Sequence, residues 1–270
     1  MTEHRETIGV EGGTIDLFCK SEGEYKLRLL CVHGWTLDHR SFDRQTSLTA
    51  AKTQIVTFDR RGHGASLLEP DINQELLDLK AIIETGSMPT VLYGVSQGAR
   101  ICLRYAQHWP ETIAGLIFQG GVVDDYPVEP NQTDEPPLNH YTDLVSRGHV
   151  EQMKSEWLRH PLMTRGVNNN DIDRLKALIK DYDGKDLLAE PQDVTDLPKK
   201  KRLQEVLIPS LICIAADDSK QRKTHAERLA MELKGSVASS HGGHLWNWSH
   251  PEDFNVAASN WLRNLELEQG

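Results

Sequence analysis

Short apolar runs alternate along the chain with stretches of helical periodicity. Residues 8–10 and 14–18 are strand-like and joined through Glu11-Gly12-Gly13, which predicts an edge hairpin. Residues 27–32 form a compact apolar run ending at His33-Gly34, and residues 54–58 form another ending at Asp59-Arg60-Arg61-Gly62-His63-Gly64. Runs with no polar face predict strands of a parallel sheet covered on both sides. Ile72, Leu76, Leu79, Ile82 and Ile83 then recur at helical spacing before a strand at 91–93, and this β-α-β order implies a right-handed crossover.

Residues 94–98, Gly94-Val95-Ser96-Gln97-Gly98, separate that strand from a helix burying Ile101, Cys102, Tyr105, Ala106 and Trp109, and a strand at 114–118 follows. From about 122 to 209 the pattern changes. Pro127, Pro130, Pro136 and Pro137 open the segment, and three amphipathic stretches follow without strand periodicity, which predicts an inserted helical cap. Alternation resumes with a strand at 211–215, a helix around 224–233, a strand at 236–239 and a last helix from 251 to about 265. The expected organisation is one core in two parts, 1–121 and 210–270, interrupted by the cap at 122–209.

Composition narrows the function. Forty acidic against thirty basic residues give a net charge of −10, so phosphate backbones and anionic lipid surfaces are repelled over most of the surface. Neither nucleic acid nor membrane is an expected partner; a small molecule is. The first ten residues lack the apolar core of a signal peptide, and Cys19, Cys31, Cys102 and Cys213 are far apart with apolar neighbours. Buried thiols in a reducing cytoplasm are the expectation.

Glycines on both sides of Ser96 let strand and helix pass closely, so the serine can sit exposed on a strained strand-to-helix turn, as a nucleophile must. A serine hydroxyl needs a base. His244, in His241-Gly242-Gly243-His244, follows the last strand and can hang over the serine; His241 competes with it. Asp217 and Asp218 directly follow the 211–215 strand, where either could orient the base or cap the next helix. A spacing of three between the two histidines on a Gly-rich loop without nearby cysteine does not make a metal pair, so no metal and no cofactor are expected.

Together these motifs resemble the α/β-hydrolase fold over nearly the whole chain. His33-Gly34-Trp35 resembles its oxyanion loop, residues 59–66 its D-x-x-G-x-G-x-S turn, residues 94–98 its nucleophile elbow, Ala215-Ala216-Asp217-Asp218 its acid motif and Gly243-His244 with Pro251-Glu252-Asp253-Phe254 its C-terminal ending. The resemblance implies a mostly parallel eight-stranded sheet with helices on both faces and an inserted helical cap. It assigns the nucleophile to Ser96, the acid to Asp218 and the base to His244, with the backbone N–H groups of Trp35 and Gln97 as oxyanion donors.

Residues 156–162, Glu156-Trp157-Leu158-Arg159-His160-Pro161-Leu162, resemble an element in the caps of small bacterial esterases and of MenH-type enzymes of menaquinone synthesis. Arg100 stands where MenH-type elbows also carry an arginine, and Trp157, Trp246 and Trp248 are candidates to line an apolar pocket. The resulting expectation is a serine hydrolase of small carboxylic esters or lactones, with Arg100, Trp157 and Trp246 binding substrate. Its alternatives are a MenH-like lyase using the serine as a base, a non-enzymatic ligand receptor, and a cofactor-free dioxygenase, suggested by Asp38-His39-Arg40.

Overall fold

The computed structural model describes residues 1–128, 134–192, 194 and 197–269. Strands β1 (Thr2–Val10), β2 (Gly13–Ser21), β3 (Leu27–Val32), β4 (Thr53–Phe58), β5 (Thr90–Val95), β6 (Gly115–Gln119), β7 (Ser210–Ala215) and β8 (Ser236–Ser240) form one eight-stranded sheet in the order β1-β2-β4-β3-β5-β6-β7-β8. The β1–β2 and β2–β4 pairs are antiparallel, and every pair from β4 to β8 is parallel.

The helices are α1 (Gln74–Glu84), α2 (Gln97–His108), α3 (Leu138–Ser146), α4 (Val150–Trp157), α5 (Pro161–Thr164), α6 (Asn169–Ile179), α7 (Lys220–Leu233), α8 (Trp246–Ser249) and α9 (Pro251–Gln269). The pleat explains why the central strands carry no polar side. Leu30, Val32 and Leu92 pack under α1, α2 and α7, while Leu29, Cys31 and Tyr93 face α9 and the 3₁₀ segment His39–Ala51. A third cluster belongs to the segment between β6 and β7, where Tyr141, Met153, Leu162 and Leu175 close on Trp35 and Leu37 after β3 and on Leu245 and Trp248 after β8. The inserted helices therefore rest on the loops at the C-terminal edge of the sheet. Among the described residues that segment carries four α-helices and two short 3₁₀ turns, against the three amphipathic stretches expected, and no strand.

Two elements escape the hydrophobic pattern. β1 begins at Thr2 rather than at residue 8, because as an exposed edge strand it is held by its ladder to β2 and needs no apolar face. The 3₁₀ segment buries only Phe42, Leu48 and Ala51 as apolar residues; its remaining inner positions are polar and bonded, as Gln45 is to the Asn247 carbonyl at 2.7 Å. Among the described residues no helix is long and apolar enough to cross a membrane.

Asp59 organises the turn after β4. One oxygen accepts from the His39 backbone N–H at 2.9 Å and lies 2.7 Å from His39 Nδ1, and the other accepts from the Ala65 N–H at 2.8 Å. Burial opposes the charge, but these partners outweigh it and hold the carboxyl well below the usual carboxylate range. A depressed folded value contributes stability above about pH 4, the unfolded value, and that contribution is lost as pH falls toward the folded one. Asp59→Asn is accordingly expected to cost about 2 kcal/mol at pH 7 and progressively less in acid. Melting curves from pH 7 to pH 3 check this; a constant difference between the two proteins contradicts it.

Candidate active site

Ser96 links β5 to α2 with φ 56° and ψ −116°, a left-handed backbone that costs a non-glycine residue on the order of 1–3 kcal/mol. The turn is held by packing. A Cβ at Gly98 would collide with the carbonyl oxygens of Val32 and His33, and a Cβ at Gly34 would lie 3.3 Å from the Ser96 Cβ. The His33-Gly34-Trp35 turn thus runs against the elbow. Gln97 opens α2, so its N–H has no intrahelical acceptor and lies at the positive end of the helix dipole.

His244 and Asp218 come from the loops after β8 and β7. His244 Nδ1 lies 3.0 Å from one Asp218 oxygen and 3.2 Å from the other, and both residues are buried. Burial raises the Asp218 pKa, but the contact with His244 and the charge of Arg222 outweigh it and hold the carboxyl below its ordinary range. The α7 cap is Ser219, whose side chain accepts from the Arg222 N–H, so neither aspartate serves as cap. Asp217 is exposed beside it, as is His241 beside His244. The Ser96 N–H donates to the Gln119 carbonyl at 2.8 Å. The next residue, Gly120, has φ +62° and packs so tightly that a Cβ there would come within 2.8 Å of His244 Nδ1. This loop touches both the serine and the His–Asp pair, while Ser96 Oγ itself is bonded to Arg222 and makes no hydrogen bond to His244 among the described residues.

Two arginines complete the site, and sequence reasoning gave neither a role. Arg60, 2% exposed, donates to Glu75 at 2.6 and 3.0 Å, to the His33 carbonyl at 3.0 Å and to Gln97 Oε1 at 2.8 Å. It ties together the two loops that carry the candidate oxyanion donors. Arg222 donates through Nη1 to the Gly120 carbonyl and approaches Ser96 Oγ at 3.4 Å. Its place four residues after Asp218, one helical turn on, was the available signal.

The remaining candidates lie elsewhere or do other work. Arg100 donates to Asp124 at 2.5 Å on the outer side of α2. Trp157 is buried in the insertion's cluster, donates to Thr36 Oγ1 at 2.9 Å and stacks on His160, the residue that caps α5. Its ring lies 4.9 Å from that of Trp35. Trp248 joins the same cluster, with Arg44 over its ring at 4.6 Å. Trp246 packs instead against Phe254 in the core beneath α9, because the α8 turn points it back under the sheet. His39, bonded to Asp59 and stacked on Phe18 at 4.0 Å, faces β2.

Two groups have donor atoms close enough for a metal among the described residues, and neither includes the Ser96 cluster. Asp38, His39 and Asp59 are taken up by Arg40, by each other and by Ala65. In the other, His4, Glu6 and Cys19, His4 Nε2 and Glu6 are already paired at 2.9 Å on the exposed edge strand, and burial pushes the Cys19 thiol up to about 11.

Fold and site define an α/β-hydrolase arrangement. The chain belongs to the Alpha/beta hydrolase family, whose model matches residues 29–258. It is 24% identical, over 95% of its length and 99% of the other, to a Synechocystis sp. protein named "Putative non-heme chloroperoxidase". It is also 23% identical, over 93% of each chain, to the 2-hydroxy-6-oxononadienedioate/2-hydroxy-6-oxononatrienedioate hydrolase of Klebsiella pneumoniae. Among solved structures it resembles an esterase from Exiguobacterium antarcticum, with a TM-score of 0.78 and 17% identity over 96% of this chain and 100% of that one.

Proposed function

We propose that this hydrolase-family protein is a serine hydrolase of small carboxylic esters or lactones, working through an acyl-serine intermediate. The observation that carries the reading is the buried Asp218–His244 bond at 3.0 Å beside a serine held at positive φ. Asp218 fixes the imidazole with its proton on Nδ1, leaving Nε2 to take the Ser96 proton as Oγ attacks the carbonyl carbon. The backbone N–H groups of Gln97 and Trp35 receive the negative oxygen, Arg60 holds both loops in register, and the insertion keeps bulk water from the site. His244 then protonates the leaving alkoxide, and a water repeats the sequence on the acyl-enzyme.

The esterase activity of the Exiguobacterium neighbour and the hydrolase activity of the Klebsiella relative support this class of reaction. The lyase and dioxygenase alternatives lack support from their own residues, since Arg100 is held by Asp124 and His39 by Asp59. The backbone strain at Ser96 favours catalysis over passive ligand binding, since it presents a hydroxyl for attack. The four buried free cysteines fit a cytoplasmic setting.

The test is a fluorophosphonate probe with peptide mapping, run beside a panel of p-nitrophenyl esters and lactones. Labelling of Ser96 with turnover of short-chain substrates is expected. Absence of both overturns the proposal.

A further inference from the structure

Arg222 is a charged side chain 3.4 Å from the Ser96 hydroxyl that neither the acid–base pair nor the oxyanion donors account for. It is 7% exposed, and its guanidinium is fully engaged. Nη1 donates to the Gly120 carbonyl and approaches Ser96 Oγ at 3.4 Å, while Nε and Nη2 grip the two oxygens of Glu135 at 3.1 and 2.8 Å. Glu135 also accepts from Ser219 Oγ at 2.5 Å. The fork-on-fork contact is the geometry in which a guanidinium binds any carboxylate.

The two partners are not equally exposed. Arg222 is anchored on α7 by the Gly120 carbonyl, which belongs to the loop that also packs against His244. Glu135 lies in the segment leading into α3, and its side chain is 19% exposed against 8% for Arg222. An incoming carboxylate would thus meet the fork from the solvent side, by displacing Glu135 from both Arg222 and Ser219 Oγ. A buried ion pair adds little to stability relative to apolar packing, so stability alone does not explain a permanent charge at this place. Nor can the guanidinium lose its proton, so without Glu135 it must have another anion.

We infer that Arg222 is the carboxylate-recognition residue of this site and that Glu135 occupies its fork in the free enzyme, so that preferred substrates are esters or lactones bearing a carboxylate a short carbon chain from the scissile carbonyl. This deepens the serine-hydrolase reading and rests on it. Exchange of one carboxylate for another leaves the charge at Arg222 balanced throughout. The carboxylate is held on the Nε and Nη2 side while Nη1 faces Ser96, so binding there sets the distance at which the acyl carbon meets Oγ.

The test compares monomethyl esters of malonic, succinic, glutaric and adipic acids with neutral methyl esters of matched length, followed by pH-stat. Wild-type enzyme is expected to favour one acidic ester over its neutral counterpart by at least about tenfold in kcat/KM, and Arg222→Gln to remove that preference, mainly through KM. Arg222→Lys should keep part of it, and Glu135→Gln should lower KM for the acidic esters by vacating the fork. No preference in the wild type, or an equal loss on both ester classes in Arg222→Gln, overturns the inference and makes the pair a strut between insertion and core.

Calorimetry of succinate, glutarate and adipate binding to Ser96→Ala, with and without Arg222→Gln, reads the subsite independently of turnover. Binding that depends on Arg222 supports it, and absence of binding overturns it. If no ester is cleaved and Ser96 resists the probe while a dicarboxylate still binds through Arg222, the hydrolase reading fails and the subsite stands. Cleavage without acidic preference does the reverse: the serine hydrolase stands and the carboxylate subsite fails.

Discussion

Ser96→Ala is expected to lower kcat on every accepted ester by roughly 10⁴–10⁶-fold and to leave the melting temperature within about 3 °C of wild type. The rate should collapse because the hydroxyl is the attacking group and no other one stands on the elbow. Stability should hold because Oγ makes one long contact, 3.4 Å to Arg222, and because alanine pays the same backbone penalty as serine at φ 56°. A companion variant separates chemistry from strain. Ser96→Gly removes the left-handed penalty and should stabilise the fold by about 1 kcal/mol while being equally inactive. Turnover retained in Ser96→Ala would show that the serine is not the nucleophile. A less stable glycine variant would show that the elbow is not strained.

The parts of the site legible in the sequence are those dictated by local backbone geometry. Gly94 and Gly98 are needed wherever a strand and helix cross at a serine, and a histidine after the last strand is placed by topology, so both could be read from spacing. Glu135 was not legible, because a pair formed across 87 residues leaves no periodic trace, and Arg222 carried only the signal of standing four residues after Asp218. Arg100 shows the same limit from the other side: its position one turn after Ser96 suggests the site, yet the side chain turns outward to Asp124. Trp246 misleads for a related reason, since two residues after His244 the four-residue α8 carries it into the core. Of the fold, the apolar central strands announced themselves, whereas the polar edge strand β1 and the 3₁₀ segment are fixed by hydrogen bonds that hydropathy does not record.

Asp218→Asn carries the second large effect, because it changes no shape and removes one charge. In the present geometry both Asp218 oxygens face His244 Nδ1, and one also accepts from the Ser219 N–H at 2.7 Å. A carboxylate there can only accept, which forces the ring proton onto Nδ1 and leaves Nε2 bare. An asparagine keeps the Ser219 bond through its carbonyl and then presents its NH₂ to the ring, so the proton moves to Nε2 and the base is lost. The expected fall in kcat is on the order of 10⁴-fold with KM little changed, since the substrate does not touch residue 218. Asp217→Asn is the internal comparison. That side chain is exposed, and its backbone N–H donates to the Gly242 carbonyl at 3.1 Å, a bond the substitution leaves in place, so its turnover should stay within about twofold of wild type. Steady-state rates of the two variants on one short-chain ester, with melting temperatures to confirm that both are folded, decide the matter. The opposite ranking would place the orienting acid at residue 217 and remove the basis for Asp218 in the mechanism.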